Sequence, residues 1–298
     1  MQDRLRFRID TLADPMKRLA WVDLLRDIFG VDFAAFSKLD IWPEGYRGFS
    51  YLDGDVIAAN ISFNPLPLRM AGRDVVAGQL QGVATRPAYR RCGLFHDLME
   101  KVLAFADTRC EFLLLYTETP ALYQPFGFRL LPEHSFAGQL QAGSFGPDGR
   151  NARTLSMRLP EDIALVRRLY RTRCPVSDEF GLIDNEGVFF SNLLRSPSFR
   201  LSYLPRIEAV VVWDQAGAGG RSRLLDIVAA EMPPSGILAA ALGLPTPDAE
   251  IDVLFPPDRL TGQFSAMPLR HEDGDLLMVR GPFGLEQKPF MLPLTALS

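Results

Sequence analysis

The chain has 298 residues, of which 47% are hydrophobic and 23% charged, and its formal net charge is −4. This composition is that of a soluble globular protein with enough apolar material for one large domain or two of ordinary size. The net charge excludes a broad nucleic-acid-binding surface, which needs a basic surplus, and no apolar run approaches the ~18 residues of a membrane span.

The cysteines and histidines are widely spaced in the sequence and comprise Cys92, Cys110, Cys174, His96, His134 and His271. An odd cysteine count without short spacings predicts neither a disulfide framework nor a zinc cluster, so we expect no metal site. The G-x-S-x-G turn of serine hydrolases is absent. The N-terminal segment lacks the apolar stretch of a secretory signal, and we therefore expect a cytoplasmic location.

The first predicted element is a helix. Asp14 suits the N-cap, Pro15 the first helical position and Gly30 the C-terminal end, and apolar residues recur at helical spacing between them. Residues 32–46 are predicted to form a short helix and a loop.

Two hairpins are predicted next. Residues 49–63 turn at Asp53-Gly54, which is a strong hairpin signal between apolar arms. Residues 68–86 form a second hairpin that turns near Ala71, Gly72 and Arg73.

An amphipathic helix follows, with an apolar stripe of Leu94, Leu98, Val102 and Phe105. Residues 111–118 form a continuous apolar run, typical of a buried strand, and residues 128–140 are predicted to be one further strand. The order predicts an α+β fold in which helices flank a mixed, mostly antiparallel sheet.

Residues 141–152 are rich in glycine and polar residues and are the predicted linker. Beyond them the order of elements recurs, with a helix over 159–173, strands over 199–213, 222–233 and 250–260, a short helix over 235–244 and a closing strand over 274–281. We interpret 153–298 as a degenerate second copy of a first domain that spans 1–140.

Three arginines surround the turn between a strand and the amphipathic helix. Arg86, Arg90 and Arg91 stand close to Gly93, at the point where the helix begins. Free amides at a helix N-terminus, a glycine and guanidinium groups together favour an anionic ligand such as a pyrophosphate. The alternative is a solvated basic turn. Neither a nucleotide P-loop nor a dinucleotide fingerprint is present.

Here the sequence resembles the GNAT superfamily of acyl-CoA-dependent N-acetyltransferases. Its pyrophosphate loop, Arg/Gln-x-x-Gly-x-Gly/Ala, matches the run from Arg90 to Phe95, although Phe95 replaces the small last residue. The flanking segments GVATRPAYR and ALYQPFGF are also similar to the family. The resemblance covers Leu5 to about Gln139, and the tandem arrangement resembles the Eis-like branch. Members of that branch carry a further sterol-carrier-like domain, for which we expect this chain to be too short.

The resemblance implies acetyl-CoA as the co-substrate and assigns residues to it. The pyrophosphate would lie on the backbone of Arg90, Arg91, Cys92, Gly93, Leu94 and Phe95. The pantetheine arm and thioester carbonyl would lie on the backbone of Val83, Ala84 and Thr85, in a strand that splays from its neighbour.

The resemblance also supplies two catalytic candidates. Tyr123 matches the family's tyrosine general acid. Proton transfer from a phenol (pKa ~10) to a thiolate (pKa ~8.5) is uphill by about 2 kcal/mol, so the phenol would stabilise developing charge by hydrogen bonding. Glu118 would remove the proton of the ammonium form, directly or through water.

Each assignment has a structural alternative. Tyr123 could be a core aromatic residue, Glu118 a solvated strand end, and Trp42 and Tyr46 either walls of an acceptor pocket or packing residues. Cys92 matters for its amide rather than its thiol.

The predicted function is transfer of an acetyl group to a primary amine of a small molecule or peptide, with no nucleic-acid or membrane partner. The second copy is predicted not to bind the cofactor. The alternatives are an acyl-CoA-binding pseudoenzyme or sensor without turnover and a structural interaction protein. The amine, the acyl chain length and the oligomeric state are left open.

Overall fold

The computed structural model describes residues 4–31, 33, 39, 42, 45–141, 151–216, 218–246, 248–271 and 274–297. The chain forms two compact units. Unit 1 comprises Met1–Pro67, Val75–Leu131 and His271–Gly284, and unit 2 comprises Leu68–Asp74, Pro132–Arg270 and Leu285–Ser298. Among the described residues, no helix is long and apolar enough to cross a membrane.

The helices are α1 (Pro15–Phe29), α2 (Leu94–Ala106), α3 (Pro160–Tyr170), α4 (Glu186–Arg195) and α5 (Ser235–Ala241). The strands are β1 (Leu5–Thr11), β2 (Arg47–Asp53), β3 (Val56–Met70), β4 (Arg73–Thr85), β5 (Phe112–Thr117), β6 (Arg129–Leu130), β7 (His134–Leu140), β8 (Arg153–Leu155), β9 (Phe180–Leu182), β10 (Arg200–Leu204), β11 (Ala209–Asp214), β12 (Arg223–Val228), β13 (Glu250–Val253), β14 (Gly262–Pro268) and β15 (Leu276–Arg280).

The sheet of unit 1 has the strand order β1-β2-β3-β4-β5-β15-β6. β4 and β5 run parallel, whereas β15 is antiparallel to both β5 and β6. Side chains of α1 pack with one face of this sheet and side chains of α2 with the other, because successive strand residues point to opposite faces. The result is the predicted α+β arrangement of helices around a mixed sheet.

The sheet of unit 2 repeats this order of positions as β8-β10-β11-β12-β13-β7-β14. Its one parallel pair among the described strands is β12 with β13, at the position that β4 and β5 occupy in unit 1. The recurrence confirms that the fold consists of two copies. β9 pairs with the Leu68–Met70 end of β3, which belongs to unit 2.

The two copies have exchanged one strand. β7 belongs to the first half of the sequence but pairs with β13 and β14 in unit 2. β15 belongs to the second half but pairs with β5 and β6 in unit 1. The compact units therefore differ from a division of the chain into 1–140 and 153–298, and residues 142–150 of the predicted linker lie outside the described residues.

The strand predicted over 128–140 is consequently wrong as a single element. It consists of β6 and β7, which lie in different sheets, and Pro132 between them has no N–H to donate to a ladder. The strand predicted to close the second copy, over 274–281, is β15 of unit 1. The sequence analysis also missed β1, β8, β9, α4 and β14.

Local predictions about the first elements are confirmed. The Asp14 side chain accepts hydrogen bonds from the amides of Met16 and Lys17, and Gly30 ends α1 with a φ of 67°. β2 and β3 form the hairpin with Asp53-Gly54 at its turn. The helix and loop predicted over 32–46 fall largely outside the described residues.

Unit 2 is stabilised by a buried ion pair. Arg173 and Asp226 are each only 2% exposed, with 2.6 Å between a guanidinium nitrogen and a carboxylate oxygen. The Thr295 hydroxyl donates a further hydrogen bond of 2.7 Å to the same carboxylate. Removing one charge from such a pair leaves the other charge buried without compensation.

We expect Asp226→Asn to lower the free energy of unfolding by about 3–5 kcal/mol, because the Arg173 charge stays buried. The matched control is Glu208→Gln, whose partner Arg168 is exposed and lies 2.8 Å away; it should change stability by less than about 1 kcal/mol. Urea unfolding of both variants measures the difference. Equal effects of the two substitutions would contradict the role assigned to the buried pair.

Candidate active site

The parallel strands at the centre of unit 1 separate part-way along their length. Their pairing joins Ala77 to Phe112, Gly78 to Leu113 and Gln79 to Leu114. Beyond that point β4 continues to Thr85 and β5 to Thr117. Backbone groups on the facing edges of the two separated segments are available to a ligand that runs between them.

The predicted cofactor-arm residues lie on this separated part of β4. Val83 is half-buried and packs with the cluster on the α2 face, whereas Ala84 is buried on the α1 face. Thr85 is half-buried and is the last residue of the strand. The strand therefore presents their backbone along one edge while two side chains anchor it to the core.

β4 leads through a short loop to α2, whose N-terminus carries no side-chain cap. Gly93 is the N-cap residue with a φ of 77°, a conformation that favours glycine, and the first helical bond runs from the Asp97 amide to the Gly93 carbonyl at 3.2 Å. The amides of the first turn, Leu94 and Phe95 among them, have no intrahelical acceptor. They are suited to an anion, which the helix dipole also favours.

The three arginines of this loop differ in what they contact. Arg86 donates to the Ile57 carbonyl at 2.9 Å and to the Asp23 carboxylate at 2.8 Å, and it also binds Asp27. The hydrogen bond from Arg86 lowers the pKa of Asp27. Arg86 therefore joins the loop to α1 and the sheet, and its charge is balanced by protein carboxylates.

Arg90 and Arg91, in contrast, are exposed. Arg90 donates to the Thr85 carbonyl at 3.1 Å, which folds the loop back on the end of β4. Arg91 has a φ of 62°, in the left-handed region that a residue with a Cβ seldom adopts. Such backbone is often found where ligands bind. The half-buried Cys92 thiol contacts the Arg90 carbonyl at 3.5 Å.

Phe95 turns its side chain away from the loop and into unit 1. Its ring makes edge contacts with Tyr123 and Phe126, at centroid distances of 5.7 and 5.8 Å. The departure from the small residue of the family motif is therefore accommodated by aromatic packing. The same contact joins the first turn of α2 to the tyrosine that the sequence analysis selected.

Tyr123 lies between two short 3-10 turns, Pro120–Leu122 and Gln124–Phe126, and is 6% exposed. Burial raises the pKa of its phenol to about 12; a hydrogen bond with Thr117 lowers it and the negative charge of Asp275 raises it. The phenol therefore stays protonated throughout the physiological pH range and acts as a neutral hydrogen-bond donor.

The other candidates from the sequence lie at an exposed strand end or in the packing around Trp21. Glu118 is exposed and lies one residue beyond β5. Tyr46 is buried, its ring lies 5.5 Å from that of Trp21, and Trp42 also packs on Trp21, at 6.3 Å. These contacts are those of packing residues, which is the alternative to a role as walls of an acceptor pocket.

The strand exchange brings residues to the site that the sequence analysis missed. Asp275 precedes β15 and acts electrostatically on Tyr123, and the His271 ring lies 5.4 Å from that of Tyr116. No short-range pattern points to these residues, which lie about 150 positions from β5 in the sequence. Among the described residues, no group of three or more His, Cys, Asp or Glu side chains is arranged to hold a metal ion.

Comparison with known families gives a direct match for this region. Residues 18–131 match the family model of the acetyltransferase (GNAT) domain. Over this range, which is less than half of the chain, the sequence is similar to an acetyltransferase (GNAT) domain. No curated protein is matched by the sequence.

Solved structures share the fold over most of the chain. A GCN5-related N-acetyltransferase from Kribbella flavida is 16% identical, with a TM-score of 0.53 over 94% of this chain and 72% of that chain. Eis1 from Mycobacterium abscessus is 15% identical, with a TM-score of 0.55 over 92% and 73%. A probable N-acyltransferase from Enterococcus faecalis is 12% identical, with a TM-score of 0.56 over 93% and 72%. The likeness at these identities is one of fold.

The raised pKa of Tyr123 predicts a pH effect on stability. A phenol whose pKa is about 12 when folded and about 10 when unfolded stabilises the fold fully below pH 10 and loses that contribution as the pH rises toward 12. Between about pH 9 and pH 11 the wild type should lose about 1 kcal/mol more than Tyr123→Phe. Denaturant unfolding at the two pH values tests this, and parallel losses would contradict the assigned pKa.

Proposed function

We propose that unit 1 binds acetyl-CoA and transfers its acetyl group to a primary amine of a small molecule or peptide. The observation that carries the proposal is the separation of β4 from β5 on a strand that leads directly to the uncapped N-terminus of α2. A long, extended ligand with an anionic end is complementary to that arrangement. The matched GNAT family model covers the same residues.

In this proposal each part of acetyl-CoA has its own protein partner. The diphosphate is held by the amides of the 90–95 loop, and Arg90 and Arg91 add positive charge from the exposed side of the loop. The pantetheine arm lies along β4 in the place of a missing strand, hydrogen-bonded to the backbone of Val83 and Thr85. Arg86 contributes only by holding the loop.

The chemistry is a direct acyl transfer. The amine nitrogen forms a bond to the acetyl carbon, the bond between carbon and sulfur breaks, and the proton lost by the amine balances the one gained by the thiolate. Backbone amides of β4 polarise the thioester carbonyl. Before attack, Glu118 removes the extra proton of the ammonium form, directly or through water, and the neutral amine keeps the proton that later passes to sulfur.

The role of Tyr123 follows from its pKa. Full transfer of a proton from a phenol of pKa about 12 to a thiolate of pKa ~8.5 is uphill by about 5 kcal/mol. The phenol therefore stabilises the departing sulfur by a hydrogen bond while the proton that ends on sulfur is supplied by the amine. The contacts of Tyr123 with Phe95 hold the ring beside the first turn of α2.

Unit 2 is proposed to be the copy that does not bind cofactor. Its parallel pair joins Arg223 to Asp252 and Leu224 to Val253, and the helix that follows, α5, has only 7 residues. The segment before that helix, EMPPSG, lacks the arginines and the glycine turn of the 90–95 loop. The similarity in fold to Eis1 over 92% of the chain supports placing the protein in the tandem Eis-like branch.

We expect Tyr123→Phe to lower kcat by about 100-fold or more, because the departing sulfur loses its hydrogen bond. The affinity for acetyl-CoA should be unchanged. Thiol release with a panel of small amines and peptide N-termini measures turnover, and calorimetry with acetyl-CoA measures binding.

Two results of that experiment would overturn parts of the proposal. A wild-type protein that binds acetyl-CoA but releases no thiol with any amine would be a pseudoenzyme or sensor. Wild-type turnover that Tyr123→Phe preserves would remove the tyrosine from the mechanism while leaving acyl transfer intact.

A further inference from the structure

A glycine-dependent bulge interrupts β4 just before the residues proposed to bind the acyl-CoA arm. Gly82 has a φ of 54° within the strand, in the left-handed region that favours glycine. It lies three residues beyond Gln79, the last β4 residue paired with β5, and directly before Val83. The bulge therefore separates the paired part of β4 from its open edge.

Asn60 of β3 holds this bulge with its side chain. Its Nδ2 donates to the Gly82 carbonyl at 2.8 Å and to the Ser62 Oγ at 2.9 Å, and its Oδ1 accepts from the Ser50 hydroxyl at 2.8 Å. The residue is 1% exposed. An amide whose oxygen faces a donor and whose nitrogen faces two acceptors has one orientation that satisfies every partner.

The hydrogen-bond network continues from Asn60 to α1. The Ser62 hydroxyl accepts a hydrogen bond of 3.1 Å from the indole nitrogen of Trp21 and also bonds the Tyr46 hydroxyl. Trp21, Tyr46 and Ser62 are buried. Buried polar groups that satisfy one another in this way rigidify their surroundings, since breaking any bond leaves a group without a partner.

The peptide bond between Gly82 and Val83 transmits this restraint to the open edge of β4. The chain contains no cis peptide bond among its described residues, so the Gly82 carbonyl and the Val83 N–H point in opposite directions within one plane. β4 lies between β3 and β5 in the sheet. A carbonyl held on the β3 side therefore directs the Val83 N–H toward the side from which β5 has separated.

We propose that Asn60 is a positioning residue for acyl transfer: it aims the Val83 N–H at the thioester carbonyl of the bound acyl-CoA. A carbonyl that accepts a hydrogen bond also makes the N–H of the same peptide a stronger donor, so Asn60 polarises this amide as well as orienting it. The inference rests on the proposed function, because it takes the acyl-CoA arm to lie along β4.

The test compares acetyl-CoA with CoA, which has no acyl carbonyl. The variants are Asn60→Ala and the larger Asn60→Leu, which fills the space without donating a hydrogen bond. Asn64→Ala is the matched control, since Asn64 is also 1% exposed on β3. Infrared spectra of acetyl-CoA labelled with carbon-13 at the acetyl carbonyl report the hydrogen bond to that carbonyl, and only in folded molecules that hold the ligand.

We expect the bound carbonyl band of the wild type and of Asn64→Ala to lie below its solution frequency, and the Asn60 variants to return it toward that frequency. In turnover with an accepted amine, the Asn60 variants should lower kcat by about 10-fold or more and leave the CoA affinity within about 2-fold.

The outcomes separate the two proposals. Equal band shifts in the wild type and both Asn60 variants would overturn the role of Asn60 while leaving acyl transfer standing. A loss of CoA affinity equal to the loss of kcat would also overturn it, because the role would then be structural. A wild type that binds no acetyl-CoA would overturn the proposed function and this inference with it.

Discussion

Two parallel strands that stop pairing part-way leave backbone amides and carbonyls on their facing edges, and such groups need a partner. In unit 1 this happens after Gln79 on β4 and Leu114 on β5. The proposed site for an extended ligand depends on this separation. Three features accompany this separation. Gly82 forms the bulge and Asn60 donates a hydrogen bond to the Gly82 carbonyl. A hydrophobic cluster packs on each face of the sheet.

Neighbouring residues at the candidate site make different contacts and are assigned different roles. Arg86 fixes the loop to α1 through carboxylates, whereas Arg90 and Arg91 are exposed. Phe95 packs on Tyr123, so the first turn of α2 contacts the phenol ring directly. Burial keeps that phenol neutral. The catalytic contribution assigned to it is accordingly a hydrogen bond to the leaving sulfur rather than the release of a proton.

Short-range signals in the sequence predicted the local structure of unit 1 well. Asp14, Gly30 and Asp53-Gly54 act through interactions within a few residues of themselves, and the structure places each in its predicted cap or turn. Sequence periodicity could not show that β7 and β15 exchange sheets, since a buried apolar strand fits either place and tertiary contacts decide between them. Asn60 and Asp275 were missed for a related reason: each acts on residues of a different element, through contacts that no local spacing records. The roles given to Tyr123, Glu118 and the 90–95 loop came from resemblance to a family and stay proposals.

The central claim is that a diphosphate-bearing thioester binds where β4 leads into α2. A crystal structure of the protein with CoA tests it most directly. The claim predicts that the diphosphate oxygens accept hydrogen bonds from backbone amides between Arg91 and Phe95, with the pantetheine arm beside Val83 and Thr85. A CoA molecule bound in unit 2, or one whose diphosphate lies away from the first turn of α2, would contradict it.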